Sequence, residues 1–278
     1  MCSVYNYISS HQNHQITKSP NHRITTSSYH QIIASSHQRI ITSPHHHIIT
    51  SKNMTVLYED NHIIAVNKTC SEIVQGDKTG DEPLSEIIKR YLKEKYNKPG
   101  EVFCGVTHRL DRPVSGVVLF AKTSKALTRL NEMFRTQEVK KTYWAIVKEK
   151  PVNPEGRLEH FLLRNEKQNK SVAHDKMVPN AKAAALSYKL IAHSDTYYLL
   201  EVHLETGRHH QIRCQLAKMG CPIKGDLKYG FARSNPNGGI SLHARNVEFI
   251  HPVSKQLIQI TAPVPADDKL WLTMEKLV

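Results

Sequence analysis

The sequence has no apolar run long enough to cross a bilayer, and cysteine is scarce. A transmembrane helix needs about 20 mostly apolar residues in a row, and none occurs among the 278 residues, so we expect no membrane span. The N-terminus also lacks the basic start and apolar stretch of a secretory signal. The five cysteines include no C-x-x-C pair, which argues against a disulfide framework and a zinc site. These absences favour reduced thiols and a cytoplasmic location.

Acidic residues are in the minority. The sequence has 25 acidic residues and 38 lysines and arginines, which gives a net charge of +13. The first 53 residues contain no acidic residue. Removing the four basic residues of that segment leaves +9 for the rest. Such a surplus favours an anionic partner, with nucleic acid first. On charge alone, a basic protein without a polyanionic partner fits equally well.

Residues 1–53 form a tail unlike the rest of the chain. From Asn6 they divide into six octads with isoleucine at every eighth position, and the last octad ends directly before Met54. One apolar residue or pair per octad cannot build a core, so we expect disorder. Our preferred interpretation is a DNA repeat translated upstream of a true start at Met54. A genuine disordered tail, a His-rich metal-binding tract and an organellar transit peptide are the alternatives.

From Met54 onward, hydrophobic patterns predict mixed strands and helices. Strands are expected around a turn at 59–61 and at 116–121, 142–147, 197–204 and 256–261. Helices are expected from Leu84 to an end near residues 97–99, after a cap at Ser124, and at 209–218. The elements do not alternate strictly. The prediction is therefore an α+β fold, a mixed and mostly antiparallel central sheet flanked by helices, formed by residues 54–278.

The segment 108–116 places an acid, Asp111, between Arg109 and Arg112 in a stretch that contains Pro and Gly. An arginine close to a carboxylate favours its ionised form, and an ionised carboxylate in a cleft can act as nucleophile or base. From spacing alone, a structural ion pair in a turn explains the pattern as well.

A second polar segment, 206–216, opens with a Gly turn and leads into the predicted helix at 209–218. Its first turn is expected to present Arg208, His209, His210 and Gln211, which together with backbone N–H groups would suit phosphate binding. A solvated basic helix terminus is the alternative. Adjacent helix positions point about 100° apart, so the two histidines are not expected to bind a metal.

Several motifs in one order resemble the RluA-type RNA pseudouridine synthases. They are His108-Arg-Leu-Asp111 with Ser115-Gly116, Lys141-Thr-Tyr-Trp-Ala145, Thr206-Gly-Arg-His-His-Gln-Ile-Arg213, Gly220-Cys-Pro-Ile-Lys-Gly-Asp226, Leu242-His-Ala244 and Phe249-Ile-His-Pro252. Two positions depart from the family: Lys68-Thr-Cys-Ser71 replaces K-P-x-G, and Val114 replaces a threonine. These departures concern the entrance loop rather than the acid.

The resemblance implies an enzyme that isomerises uridine in tRNA or rRNA without metal or cofactor, after flipping the base from its stack. It implies the family's catalytic fold, here without the N-terminal ribosomal-protein-like module, and we expect a monomer. The implied catalytic residues are Asp111 as nucleophile, Tyr143 against the uracil and Arg213 as the partner of Asp111.

The implied substrate-binding residues are Arg109, which would fill the space left by the base, His108, Arg208, His209 and Gln211, with a structural role favoured for His108. An RNA-binding factor without turnover and a His/Asp nuclease are the rival hypotheses.

Overall fold

A computed structural model describes residues 50–51 and 54–278. The predictions for the octad tail lie outside the described residues, except that its last octad contributes a two-residue strand that pairs with the strand beginning at Met54. Within the described ranges, no helix is both long and apolar enough to cross a membrane.

Twelve strands and four α-helices occur in the described residues. The strands are β1 Thr50–Ser51, β2 Met54–Glu59, β3 Ile63–Lys68, β4 Gly105–Val106, β5 Ser115–Ala121, β6 Lys140–Val147, β7 Glu155–Asn165, β8 Lys170–His174, β9 Lys182–His193, β10 Tyr198–Leu204, β11 Leu242–Ile250 and β12 Leu257–Thr261. The helices are α1 Leu84–Lys95, α2 Ser124–Arg135, α3 Gln211–Lys218 and α4 Lys269–Lys276. A short 3₁₀ turn spans Leu227–Tyr229.

The strands form one sheet in the order β1-β2-β3-β5-β11-β6-β10-β9-β7-β8, with β4 on β5 and β12 on β11. Among the described pairs, β5 and β11 alone run parallel, through Ser115 opposite His243 and Gly116 opposite Ala244. This is the α+β fold with a mixed, mostly antiparallel sheet that the sequence predicts.

Alternation along the strands divides the core between the two faces of the sheet. Tyr143 and Ala145 of β6 join the main core, whereas Trp144 and Ile146 join a smaller cluster with Trp271 of α4. Successive strand residues point to opposite faces, so β6 is buried on both sides. This explains why 142–147 reads as a nearly continuous apolar run.

Two predicted helix starts are wrong. Thr123, not Ser124, caps α2, because its side chain accepts the Ala126 N–H and Ser124 is the first helical residue. Helix α3 begins at Gln211 rather than 209, because His210 adopts the left-handed conformation with φ 52°. Arg208 and His209 consequently belong to a loop, and His210 is the residue before the first turn.

Candidate active site

Asp111 lies in the loop that leads into β5, and its side chain is about one third exposed. Arg213, in the first turn of α3, donates through Nη1 to Asp111 Oδ2 at 3.0 Å. The other side of the same guanidinium makes a two-pronged contact with Asp226, at 2.7 Å from Nε and 2.9 Å from Nη2. Because the buried Asp226 holds Nε and Nη2, Arg213 keeps one orientation, with Nη1 directed at Asp111.

A buried lysine holds the Asp111 loop from the other side. Lys68, at the end of β3, is 1% exposed, and its ammonium donates to the carbonyls of Thr69, Arg112 and Val114 at 2.6 to 3.0 Å. Burial lowers the pKa of Lys68 to about 8. Two of the three acceptors flank the stretch just after Asp111, so this lysine fixes the backbone that carries the carboxylate. From the sequence alone, Lys68 has no predicted role; it only opens the segment that departs from the family's K-P-x-G pattern.

His210 was expected at a phosphate-binding helix start, and its place beside Asp111 was not predicted from the sequence. Its Nε2 lies 3.4 Å from Asp111 Oδ2, and its Nδ1 lies 3.0 Å from the Tyr229 hydroxyl. Burial lowers the pKa of His210 to about 3, although the Asp111 charge opposes this shift, so the ring is neutral. Because a carboxylate can only accept, Asp111 favours the tautomer with the proton on Nε2, and the Tyr229 hydroxyl, which also accepts the Ser171 N–H, can then donate to Nδ1.

Tyr143 reaches the same place by strand register. It pairs with Ala244 of β11, which in turn pairs with Gly116 of β5, a few residues after Asp111. Burial and the Asp111 charge both raise the pKa of Tyr143, so its phenol stays protonated. The three residues that the sequence nominates for chemistry are therefore brought together from a loop, a strand and a helix.

His108 and Arg109 differ in exposure although they are neighbours. His108 Nε2 accepts the Leu119 N–H at 3.0 Å, and its ring stacks on Phe134 at 4.6 Å between centroids. Burial, with the charge of Lys141, lowers the pKa of His108 to about 3. Arg109 is exposed. The contacts of His108 thus hold the loop in place, whereas the side chain of Arg109 is open to a ligand.

The loop 206–210 is tied down by a side chain. Gln211 Oε1 accepts from the Thr206 hydroxyl and the Arg208 N–H, and its amide nitrogen donates to Ala185 O. Gln211 is 3% exposed, and both ends of its side-chain amide are engaged in these hydrogen bonds with the protein. Arg208 is exposed and donates through Nε to Ala183 O.

His209 stacks on His210 with 3.8 Å between ring centroids, and its Nδ1 lies 3.0 Å from Ser171 Oγ. Of this group, Arg208 and His209 face the solvent side of the site.

Comparison with known proteins gives one consistent picture. The family model described as RNA pseudouridylate synthase matches residues 62–218. The ribosomal large subunit pseudouridine synthase D of Xanthomonas campestris is 32% identical over 77% of this chain and 67% of its own length. The tRNA pseudouridine synthase C of Vibrio vulnificus is 30% identical over 78% of this chain and 92% of its own length.

A solved human structure, RNA pseudouridylate synthase domain containing 4, has the same fold. It superposes with a TM-score of 0.67 at 22% identity and covers 80% of this chain and 93% of its own. The matched residues include the Asp111 loop, Tyr143 and Arg213. The chain therefore belongs to the RNA pseudouridylate synthase family, in its RluA-type branch, and is an RNA pseudouridine synthase.

Proposed function

We propose that this enzyme converts a uridine in a structured tRNA or rRNA to pseudouridine, with Asp111 as the nucleophile. The observation that supports the proposal best is the Asp111 carboxylate, partly exposed and held at 3.0 Å by an arginine that a second, buried carboxylate fixes. A carboxylate held by a guanidinium of fixed orientation has its oxygens positioned for attack, as a nucleophile requires.

The reaction conserves every atom of the substrate. In one route Asp111 attacks C1′ as the C1′–N1 bond breaks, and the ester bond so formed breaks again when C5 of the turned uracil bonds to C1′, which frees the carboxylate. In the elimination route Asp111 removes a proton from the sugar as the C1′–N1 bond breaks, and returns it when C5 bonds to C1′. The proton on C5 is lost and N1 is protonated, so no oxidant, reductant or second substrate is consumed. Tyr143 packs against the uracil. Because its pKa is raised, a packing role suits this phenol better than removal of the C5 proton.

The target uridine must leave its stack to reach Asp111. Unpaired loop bases are the cheapest to flip, so a stem-loop in tRNA or an exposed rRNA loop is the proposed substrate. The exposure of Arg109 supports a role for its side chain in filling the gap left by the base. Relatives named for large-subunit rRNA and for tRNA support both classes.

We assign the activity to residues 54–278, working as a cytoplasmic monomer. The contacts of Asp111 with Arg213 and His210 lie within residues 54–278, which supports assigning the activity to this segment. The buried free thiols of Cys104 and Cys214 support a reducing compartment.

The test is chemical mapping of pseudouridine in total RNA from a strain lacking the gene, after incubation with purified enzyme. The wild-type protein should modify a defined uridine, whereas Asp111→Asn and Asp111→Ala should form none and still bind RNA. Asp195→Asn, which changes an exposed carboxylate in a turn, is the matched control and should be active. Pseudouridine formation by Asp111→Asn at a rate near wild type would refute the role of Asp111.

A further inference from the structure

Lys141 is a partly buried cation on β6, two residues before Tyr143 and on the same face of the strand. Its ammonium lies 5.8 Å from the centre of the Phe134 ring. On its other side is Gly207, where a Cβ, if one were added, would lie 3.8 Å from Nζ. The side chain is thus enclosed by a ring and a backbone rather than by acids.

Within the described residues, the Lys141 ammonium has no hydrogen-bond acceptor and no carboxylate partner. Burial lowers the pKa of Lys141, and no acidic group offsets that effect. Other enclosed cations are treated differently: Lys122 binds Glu59 at 2.7 Å, and Lys68 donates to three carbonyls. An unpaired, partly desolvated charge is unfavourable in the free protein, so a bound anion would relieve it.

The surroundings of Lys141 place that anion at the mouth of the active site. The charge of Lys141 acts on His108, at the start of the Asp111 loop. Gly207, which is close to the ammonium, belongs to the segment that continues through His210 to Arg213. The ammonium is therefore close to both segments that converge on Asp111. A flipped uridine entering between them would bring its own backbone phosphates past Lys141.

We infer that Lys141 binds an RNA backbone phosphate next to the modified uridine. This inference rests on the proposed function, because it takes the Asp111 cleft to be the entry point for RNA. A phosphate suits this position better than a uracil oxygen does, because an ammonium gains most from a full negative charge.

The neighbouring residue supplies a matched control. Lys140 is also on β6 but points to the other face, is 78% exposed and pairs with Glu248 at 2.7 Å. Lys140→Gln and Lys141→Gln thus make the same chemical change one residue apart. Only the second removes an unpaired ammonium from the mouth of the site.

The experiment measures binding of bulk tRNA and rRNA, taken from the strain lacking the gene, across a series of salt concentrations. The proteins carry Asp111→Asn so that turnover does not alter the RNA. We expect Lys141→Gln to weaken binding and to reduce the slope of log affinity against log salt by roughly 0.7 to 0.9, the value for one phosphate contact. Lys141→Arg should keep the wild-type slope, and Lys140→Gln should change it little.

An unchanged slope for Lys141→Gln, with the protein folded, would overturn the inference. So would an equal loss of slope in Lys140→Gln, because the effect would then be general charge. Thermal unfolding provides the folding check: removing an unpaired, partly buried charge should leave the melting temperature unchanged or higher. The readout needs no turnover, so an active Asp111→Asn enzyme would refute the proposed nucleophile while leaving the result for Lys141 interpretable.

Discussion

The guanidinium of Arg213 lies between two carboxylates of very different exposure, 1% for the Asp226 side chain and 33% for that of Asp111. The buried partner takes two donors and sets the rotamer, and the exposed partner takes the third. A planar fork of fixed geometry can do this, whereas an ammonium cannot satisfy both carboxylates with the same angles. The orientation of the Asp111 carboxylate therefore depends on the buried Asp226 as well as on Arg213.

Replacement of Arg213 by lysine keeps the positive charge but removes the planar guanidinium, so it tests which of the two positions Asp111. We expect the single-turnover rate to fall about 100-fold, since small misplacement of a reacting group has effects of that size. The free energy of unfolding should fall by roughly 2 to 3 kcal/mol, because Asp226 loses charge-assisted hydrogen bonds. Rates come from single-turnover assays and stability from urea unfolding.

Arg157→Lys is the control for the Arg213 change. Arg157 also grips a carboxylate, Glu205, with two bonds of 2.7 Å, but on the surface. Its replacement should cost less than about 1 kcal/mol and leave the rate unchanged. A wild-type rate for Arg213→Lys would mean that charge alone is sufficient at this position.

At the scale of elements, the parallel contact between β5 and β11 joins the two halves of the sheet. It consists of two residue pairs, and Gly116 stands in one of them with φ +115°. A Cβ at Gly116 would lie 2.3 Å from Ala244 O, so the strands can approach only without a side chain. In the other pair, the Ser115 hydroxyl bonds to His243 Nδ1 at 2.8 Å inside the core.

Gly116→Ala should therefore separate β5 from β11. The added methyl group meets backbone atoms that cannot move aside cheaply, and alanine is strained at this φ, so we expect a loss of roughly 3 kcal/mol or more. Gly100→Ala is the control, because nothing lies within 4 Å of a Cβ there. Urea unfolding measures both variants. If Gly116→Ala matched Gly100→Ala, the close approach would not limit stability.

The start of α3 shows how an element places a functional group. A histidine in the left-handed region ends the preceding loop, and this turn directs the His210 ring toward Asp111. The same turn lets Gln211 reach back to Arg208 N and cap the loop. Both consequences follow from starting the helix two residues later than the sequence pattern suggests.

For the whole molecule, buried histidines link stability to pH. Burial lowers the pKa of His243 to about 4, from about 6.5 in an unfolded chain. Between these values the unfolded chain binds a proton that the folded protein does not, so stability falls as pH falls from about 6.5 toward 4. His108 and His210, each lowered to about 3, act in the same direction.

The free energy of unfolding should accordingly decrease between pH 7 and pH 5, by about 2 kcal/mol for each such histidine. In His243→Gln, whatever its stability at pH 7, the decrease should be smaller by about that amount. His193→Gln, an exposed position, is the control and should follow the wild type. Urea unfolding at the two pH values measures the difference. An unaltered decrease in His243→Gln would exclude this histidine as a source of the pH dependence.

The sequence by itself determined the fold class and the family, because both depend on local patterns. Alternating and helical periodicity identified the central elements, such as the helix that begins at Leu84 and the buried strand before Lys122. Ordered motifs around Asp111, Tyr143 and Arg213 were sufficient to predict the family, which the comparisons confirm. Such signals need no knowledge of which strands are neighbours.

Apart from the pairing of Arg213 with Asp111, which the resemblance implies, the contacts around Asp111 were decided only by the tertiary structure. The link from Arg213 to Asp226, the grip of Lys68 on the loop and the approach of His210 join residues up to about a hundred positions apart. Hydrophobic periodicity does not predict contacts between residues so far apart in the sequence. It also does not predict that a histidine adopts the left-handed conformation. Whether an ammonium such as that of Lys141 is paired or unpaired also depends on sheet order and burial, which arise only when the chain is folded.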